Sequence, residues 1–509
     1  MKHLTFNLQH RTSDGRARHS VRAEVEPARN GAHGVTRPTG IIRSWTLNVE
    51  CWMFSAVLTL AAGCTTYRPQ PVSPEKTAAA FDARSLTNAG LRAFLETNHV
   101  TGNWPRQSWD LNALTLAAFY YQPALAEARA QWAAVEASKI TAGERPNPTV
   151  GFTPTYDTTA PPPWILGVTW DIPIETAGKR GKRIAQAEHL SEAAKWSFVS
   201  VAWQTRSHVR AALLALYAAR ETESLLARQE MAQSNVLRLL EGQLAAGAVS
   251  SYELTQARLT LTTARLARQD ATGQVAQARV QLAGALGLPL RALEGVEFSF
   301  AGLDQFPQEL TTPEVRRDAI LNRADLRGAL AEYAASQSAL QLEIAKQYPD
   351  LHLGPGYELD QTDNKWSLGV SLDLPILNHN EGQVAEAEAN RAAAAAHFLT
   401  IQTTAIAEID SALAGYNAAL QKSATVKSLL ENMQKQLDSV RAQAQAGEAE
   451  PLALASAQAE YATGSQSQLD AQIKAQEALG QLEDAVQSPL TLPPEMLDAA
   501  QNNLSKTNK

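Results

Sequence analysis

Residues that could support catalysis or hold a metal occur in the sequence, but not at the spacings such chemistry needs. The 509 residues include ten histidines and two cysteines, which form neither a His-Glu-x-x-His motif nor a paired-cysteine metal site. The basic run Gly178–Arg183 lacks the spacing of a phosphate-binding loop. Its side chains are better explained as meeting polar groups at a membrane face or on a neighbouring helix. We therefore predict no enzyme activity, no cofactor and no bound metal.

One cysteine, Cys64, lies in a context that favours covalent modification. An apolar run of about a dozen residues ends on the segment Leu60–Cys64, which is typical of a secretory signal and its cleavage site. That segment also resembles the lipobox of bacterial lipoproteins, which implies cleavage before Cys64 and a lipid on its thiol. A signal peptide without lipid, ending at an incidental cysteine, is the alternative. In both cases residues 1–63 are removed, and one cysteine remains without a disulfide partner.

The first 42 or so residues are rich in Arg and His and push the apolar run far from the N-terminus. This favours a translation start further downstream, with a disordered extension as the alternative. We expect residues 64–108 to form a lipid-anchored N-terminal segment and residues 491–509 a disordered C-terminal tail.

Composition and charge narrow the class of protein. The formal net charge of −7 lacks the basic footprint that a nucleic-acid partner would require. Long stretches are rich in Ala, Glu, Gln and Leu with few prolines, which favours long helices. No apolar run reaches the roughly 20 residues of a membrane-spanning helix. A chain of this kind that crosses a bilayer must do so as a closed β-barrel.

The sequence contains an internal repeat, and its two copies are predicted to cover residues 109–300 and 301–490. Blocks in the first copy return 200 to 202 positions later, an offset too constant to arise by chance. The matching blocks are Gln122–Ala128 with Arg323–Ala329, Pro146–Pro148 with Gln347–Pro349, Gly167–Ile174 with Gly369–Ile376, and Ile184–Glu188 with Val384–Glu388; Gly247 likewise matches Gly447.

Each copy is predicted to contain a helical stretch, then a β-hairpin. The helical stretches run over about 111–142 and 312–346. The extended segments, at about 150–157, 164–172, 350–360 and 366–374, alternate apolar with polar residues. This period of two is typical of membrane strands that face lipid on one side and a wet lumen on the other. A half-buried hairpin of a soluble sheet is the alternative.

The strand count predicts an oligomer. Four strands cannot close a barrel, and an open strand edge is unfavourable in hydrocarbon. Two copies would supply eight strands and three copies twelve. After each hairpin comes a proline-free segment, about 181–246 and 383–446, which corresponds to a rod of roughly 100 Å. Each rod is expected to turn at Gly247 or Gly447 and to return through about Gly284 or Gln487.

Over residues 65–490 these blocks resemble the TolC-like outer-membrane efflux proteins. The resemblance rests on the helix openings at Pro123 and Ala324, the strand ends at Asp171 and Asp373, and the glycine-tipped segment Leu244–Leu254. It implies a mainly α fold with a small transmembrane β part. It also implies a homotrimer, in which a 12-stranded barrel in outer-membrane lipid continues into an α-helical barrel in the periplasm of a Gram-negative bacterium.

The resemblance further implies partners and a gate. A periplasmic adaptor would contact the tips at Gly247 and Gly447, and an inner-membrane pump of the resistance-nodulation-division type would drive export. Acids near the tips would narrow the periplasmic entrance. Glu253 matches such a position, while Ala453 and Ser456 depart from it in the second copy. Glu448 and Glu450 could substitute there. An acidic ring would favour cations. Alternatively, all three acids are solvated carboxylates at helix starts.

The exported compound is left open by the sequence. The run Pro173–Arg183 resembles the cobalt-zinc-cadmium branch of the family, with drug or general efflux as the alternative. Two other classes of protein are also compatible with long exported helices. A periplasmic adaptor should carry a single helical hairpin rather than a tandem repeat, and a coiled-coil scaffold would have no pore.

Overall fold

The structure of the chain is a computed structural model, which describes residues 67–490 apart from 101, 160, 162, 304 and 308–311. The expected signal segment, Cys64 and the expected tail 491–509 lie outside the described residues. The chain divides into two units, Met1–Val72 and Ser73–Lys509. Every helix and strand named below belongs to the second unit.

Each half of the chain repeats one order of elements: two helices, a β-hairpin, a very long helix and a return helix. This confirms the predicted tandem repeat. Two short helices, α1 (Pro74–Asp82) and α2 (Ala89–Thr97), precede the first half. The first half contains β1 (Ser108–Trp109), α3 (Leu111–Tyr121), α4 (Pro123–Gly143), β2 (Thr149–Tyr156), β3 (Trp164–Ile174), α5 (Lys179–Ala245), α6 (Ser251–Leu286) and β4 (Glu297–Phe298). The second half contains α7 (Thr312–Asn322), α8 (Ala324–Ala345), β5 (Leu351–Asp360), β6 (Asp363–Leu372), α9 (Glu381–Gln445) and α10 (Pro451–Val486).

Each predicted helical stretch is divided at the helix opening named from the sequence, Pro123 or Ala324. Each stretch is two helices, separated by an extended residue, Gln122 with ψ 119° or Arg323 with ψ 130°. In the first half Pro123 cannot donate a helical hydrogen bond. In the second half the amide of Ala324 donates to Gln487 Oε1 at 2.8 Å instead of continuing the helix. The break therefore serves tertiary contacts that the periodicity of the sequence does not reveal.

The long helices agree with the prediction. α5 has 67 residues and α9 has 65, and each return helix has 36. At the rise of an α-helix, α5 and α9 are each about 100 Å long. Among the described residues, no helix combines the length and the apolar character needed to cross a membrane.

The hairpins form one antiparallel sheet in the order β2-β3-β5-β6. Its turn end carries the β2-β3 and β5-β6 connections, and its helix end carries Thr149, Ile174, Leu351 and Leu372. β6 begins at Asp363 and ends at Leu372. The predicted strand 366–374 was therefore placed too far along the chain, because the pairing of Asp363 with Asp360 starts the strand directly after a tight turn.

The helices form an array that continues the sheet. Close to the sheet the order is α4, α5, α8, α9, and further away it is α6, α5, α10, α9. Buried apolar residues fix both parts: one cluster joins α2, α3, α5 and α6 around Leu91, Leu114 and Leu286. A second cluster joins α7, α9 and α10 around Ile409 and Leu479. Burial of such side chains is the main stabilising contribution to packing of this kind.

Candidate functional site: the sheet, its helical rods and their tips

One face of the four-stranded sheet is apolar from edge to edge. Val150 lies opposite Trp170, and Phe152 lies opposite Val168. In the other hairpin Leu353 lies opposite Val370. In the single chain Val168 and Leu353 are half-buried and the others are exposed; Leu368 on the same face is 72% exposed. A contiguous apolar band of this size calls for an apolar environment or a partner.

Aromatic side chains lie near both ends of this band, the turn end and the helix end of the sheet. At the turn end, Tyr156 and Trp164 have ring centroids 5.0 Å apart, and Tyr357 and Trp366 have centroids 4.8 Å apart. Trp170 lies six residues from Trp164 toward the helix end, which corresponds to about 20 Å along a strand. That separation is close to the height of the apolar band in membrane strands, about 25 Å, which aromatic girdles flank.

The opposite face of the sheet is polar and rich in small residues. His352 Nδ1 lies 2.9 Å from Asp171 Oδ1 across the β3-β5 boundary. Lys365 forms ion pairs with Asp360 and Glu358. Within the described residues, no group of three or more His, Cys, Asp or Glu side chains is placed to hold a metal ion. A face of this chemistry suits contact with water.

The sheet and the helical array each have two open edges in the single chain. Among the described strands, β2 pairs only with β3 and β6 only with β5. In the helical array α9 is one outer member; the other is α4 close to the sheet and α6 further away. α6 carries exposed apolar residues at a strict seven-residue spacing, at Tyr252, Leu259, Leu266 and Val280, with Gly273 in the same phase. Such a stripe is typical of a helix that packs along a second helix.

The two helical hairpins turn as predicted, at Gly247 (φ 70°) and Gly447 (φ 78°). The next amide in each turn donates back to the long helix, Ala248 N to Gln243 O at 2.9 Å and Glu448 N to Gln443 O at 2.8 Å. This bond and the left-handed glycine are the Schellman ending of a helix. The tips of the two repeats therefore share one geometry.

The three predicted gate acids lie at these tips and are exposed. Glu253 accepts a hydrogen bond from Ser250 N at 3.0 Å, and Ser250 Oγ accepts one from Glu253 N. This capping box gives Glu253 a structural role at a helix start. Glu450 is the residue before α10, without a side-chain cap bond, and Glu448 lies in the turn.

The basic run at the start of α5 contacts neighbouring elements, as the sequence suggested. The buried Lys179 Nζ lies 2.8 Å from Asp350 Oδ1, and Arg183 pairs with Glu175. Burial raises the pKa of Asp350, but hydrogen bonds from Lys179 and Thr176 outweigh it and hold that pKa below its ordinary value. This cluster fixes the junction between the sheet and the long helix.

A buried charge cluster joins the two repeats, and no sequence motif predicted it. Arg210 Nη2 donates to both Gln476 O and Gln476 Oε1 at 3.0 Å. Arg210 Nε also lies 3.3 Å from Glu483 Oε2. Gly480 allows this approach, because a Cβ there would overlap the Arg210 guanidinium. Burial lowers the pKa of Arg210. Two arginines four positions apart on α5 were the available signal, but their partners lie on α10.

Known proteins provide an independent comparison. The cobalt-zinc-cadmium resistance protein CzcC of Cupriavidus metallidurans is 28% identical over 216 residues, 42% of this chain and 51% of that protein. The pyoverdine export outer membrane protein OpmQ of Pseudomonas aeruginosa is 26% identical over 236 residues, 45% of this chain and 49% of that protein. The chain thus spans about half the length of these two relatives.

The fold has a counterpart among solved structures. The outer membrane protein VceC from Vibrio cholerae superimposes with a TM-score of 0.61 at 18% identity, covering 74% of this chain and 95% of that one. The family model described as outer membrane efflux protein matches residues 118–288 and 315–486, one segment in each repeat. The resemblance found in the sequence is confirmed: this chain belongs to the outer membrane efflux protein family.

Proposed function

We propose that this chain is one subunit of a trimeric outer-membrane channel that exports small solutes. The observation that carries the proposal is the four-stranded sheet with an apolar face and two open edges, continued by a helical array with two open edges. In lipid, the backbone groups at an open strand edge would lack partners. Other copies of the chain can supply them.

The direction of the edge strands supports closure. Neighbouring strands of the sheet are antiparallel throughout, so β2 and β6 run in opposite directions. β6 of one copy can therefore pair antiparallel with β2 of the next. Two copies would give eight strands, and the interior of an eight-stranded barrel is largely filled by side chains. Three copies give twelve strands and leave room for a lumen lined by the polar face.

The helical array can also be closed by contacts between the edge helices of neighbouring copies. The exposed stripe on α6 in one copy would pack against α9 of its neighbour, whose Leu399 and Leu429 are exposed in the single chain. Three copies would then enclose a twelve-helix tunnel below the membrane. With helices of about 100 Å, the tunnel would reach far into the periplasm of a Gram-negative cell.

The chain itself would catalyse nothing, so transport needs an energy source. We propose an inner-membrane pump of the resistance-nodulation-division type, coupled through a periplasmic adaptor that contacts the tips at Gly247 and Gly447. The protein would be held at the outer membrane by its barrel and by a lipid on Cys64. Replacing Cys64 with Ser should abolish labelling by a radioactive fatty acid, and unchanged labelling would exclude the anchor.

For the substrate we propose heavy-metal cations first. The relative CzcC is named as a cobalt-zinc-cadmium resistance protein. In addition, the exposed side chains of Glu253, Glu448 and Glu450 place negative charge at the tips. OpmQ, described by pyoverdine export, keeps general solute export as the second candidate. Growth of a deletion strain on zinc, cobalt or cadmium, compared with growth on drugs, separates the two.

Conductance tests the channel itself. The purified protein should form long-lived pores in a planar lipid bilayer, and heat-denatured protein should form none. A folded, membrane-bound protein that never conducts would favour a scaffold without a pore.

A further inference from the structure

In the first repeat, the helix end of the sheet carries three basic side chains that form no ion pair among the described residues. Arg145 lies four residues before β2, and Arg180 and Lys182 lie shortly after β3. We call these three residues the basic collar. Arg145 and Arg180 are exposed and Lys182 is half-buried. All three lie within a few residues of the level at which the apolar band ends.

The collar has no acidic partner among the described residues. Arg180 Nε donates to Gly143 O at 2.6 Å, and Lys182 Nζ donates to Gln341 Oε1 at 3.0 Å. Both acceptors are uncharged. By contrast, the neighbouring cations Lys179 and Arg183 are paired with Asp350 and Glu175. Among the described residues the three collar cations thus form no ion pair, and Glu144 is the one acid beside them in sequence that is also exposed and unpaired.

The repeat provides an internal control for the role of these charges. Positions 180–183 read Arg-Gly-Lys-Arg, whereas the equivalent positions 380–383 read Asn-Glu-Gly-Gln. The counterpart of Arg145 is Lys346, which pairs with Glu343 at 2.7 Å. The second repeat builds the same junction of strand and long helix without free cations. The fold alone thus does not require the collar.

The surface beside the collar remains apolar at this level. After β6 the chain exposes Leu374, Ile376 and Leu377, which is fully exposed. In a closed trimer, three sectors with the basic collar would alternate with three sectors that carry these apolar side chains and the acids Asp373 and Glu381. Cations at such a boundary lie where the phosphates of a bilayer leaflet are, and each contributes favourably to binding an anionic surface.

We propose that the basic collar binds the head groups of anionic phospholipids in the periplasmic leaflet of the outer membrane. This inference rests on the proposed function, because it requires the apolar band to lie in the bilayer with its helix end toward the periplasm. Charge complementarity selects the occupant: three unpaired cations fit a phosphate-bearing, negatively charged lipid and give no advantage to a zwitterionic one.

Native mass spectrometry of the full-length protein in detergent, titrated with phosphatidylglycerol or phosphatidylcholine, tests the collar. The protein should retain phosphatidylglycerol preferentially, and the variant R145Q/R180Q/K182Q should lose about tenfold or more in apparent affinity for it. The charge-keeping variant R145K/R180K/K182R should retain the preference. The matched control R238Q/K422Q/K427Q removes three exposed cations from the long helices and should leave it unchanged.

Equal retention of phosphatidylglycerol by the glutamine variant and the unmodified protein would overturn the inference, as would an equal loss in the matched control. Loss of the trimer in the glutamine variant alone would assign the collar to contacts between copies and would also overturn it. These outcomes differ from failure of the proposed function, in which the unmodified protein would itself show no trimer.

Discussion

Arg206 of α5 and Glu483 of α10 form an ion pair of 3.1 Å between Nη1 and Oε2, and both side chains are almost fully buried. The pair joins the two repeats across 277 positions of sequence. Arg210 shares the same carboxylate oxygen, and Leu490 N donates to the other at 3.0 Å. One carboxylate thus balances two guanidinium groups at the interface between the repeats.

Replacing Glu483 with Gln should strongly destabilise this interface. It removes the carboxylate that two buried arginines share, and removing one partner of a buried pair costs about 3–5 kcal/mol. Thermal unfolding followed by circular dichroism measures the loss. The control E477Q, at an exposed position on the same helix, should change the free energy of unfolding by no more than about 0.5 kcal/mol. Equal effects of the two substitutions would contradict the role given to Glu483.

The two faces of the sheet should respond oppositely to a charge. Leu368 lies on the apolar face and Ser367 on the polar face of β6. An arginine on the lipid-facing side of a membrane strand costs about 2–4 kcal/mol near the middle of the bilayer. L368R should therefore reduce the yield of heat-modifiable oligomer in the outer membrane, whereas S367R should not. The reverse result would show that the orientation of the sheet is inverted.

The tip glycines should be sensitive to a side chain for conformational reasons alone. Gly247 and Gly447 are left-handed, and open space surrounds both. Alanine in that conformation costs about 1–2 kcal/mol. Hydrogen exchange at the amide of Ala248, which bonds to Gln243 O, should accelerate in G247A. G242A, in an equally open but helical position, should slow exchange or leave it unchanged. Identical behaviour of the two variants would exclude the conformational explanation.

Neutralising the acids at the tips should reduce selectivity for cations. The variant E253Q/E448Q/E450Q removes three negative charges per chain, while glutamine at 253 can still accept the bond from Ser250 N. In bilayer recordings under a salt gradient, the reversal potential should move toward that of a non-selective pore. The control E294Q/E297Q/E388Q, at exposed positions away from the tips, should not move it. No shift in the tip variant would leave these acids with only a role at helix starts.

Local pattern accounts for the parts of the fold that the sequence predicted. The absence of proline over 181–246 predicted α5, and the alternation in Trp164–Ile172 predicted β3 and the side it exposes. Each of these patterns lies within a single helix or strand and depends on no contact with a distant segment. The left-handed turns at Gly247 and Gly447 were predictable for the same reason, since one residue type determines them.

Contacts between distant segments account for what the sequence did not predict. The helix opening at Ala324 could be named from the sequence, but the contacts that Arg323 makes beside it, with Ala485 O, Asp325 and Glu408, could not. Likewise, in the sequence Glu483 is one of several charged residues on an Ala-rich helix, and only the packing of α5 against α10 shows that it is buried. The candidate site divides in the same way, since the tip acids could be named from sequence and the buried cluster could not.

Cross-linking of the strand edges tests the central claim most directly. A cysteine at Thr153 on the polar face of β2 would be combined, in the full-length protein, with one at position 363, 365, 367 or 369 of β6. We predict that one of these pairs forms disulfides between copies in the outer membrane, giving a covalent product that ends at three chains. Ladders that continue beyond three chains, or an absence of any product between copies from folded protein in the membrane, would contradict a closed trimer.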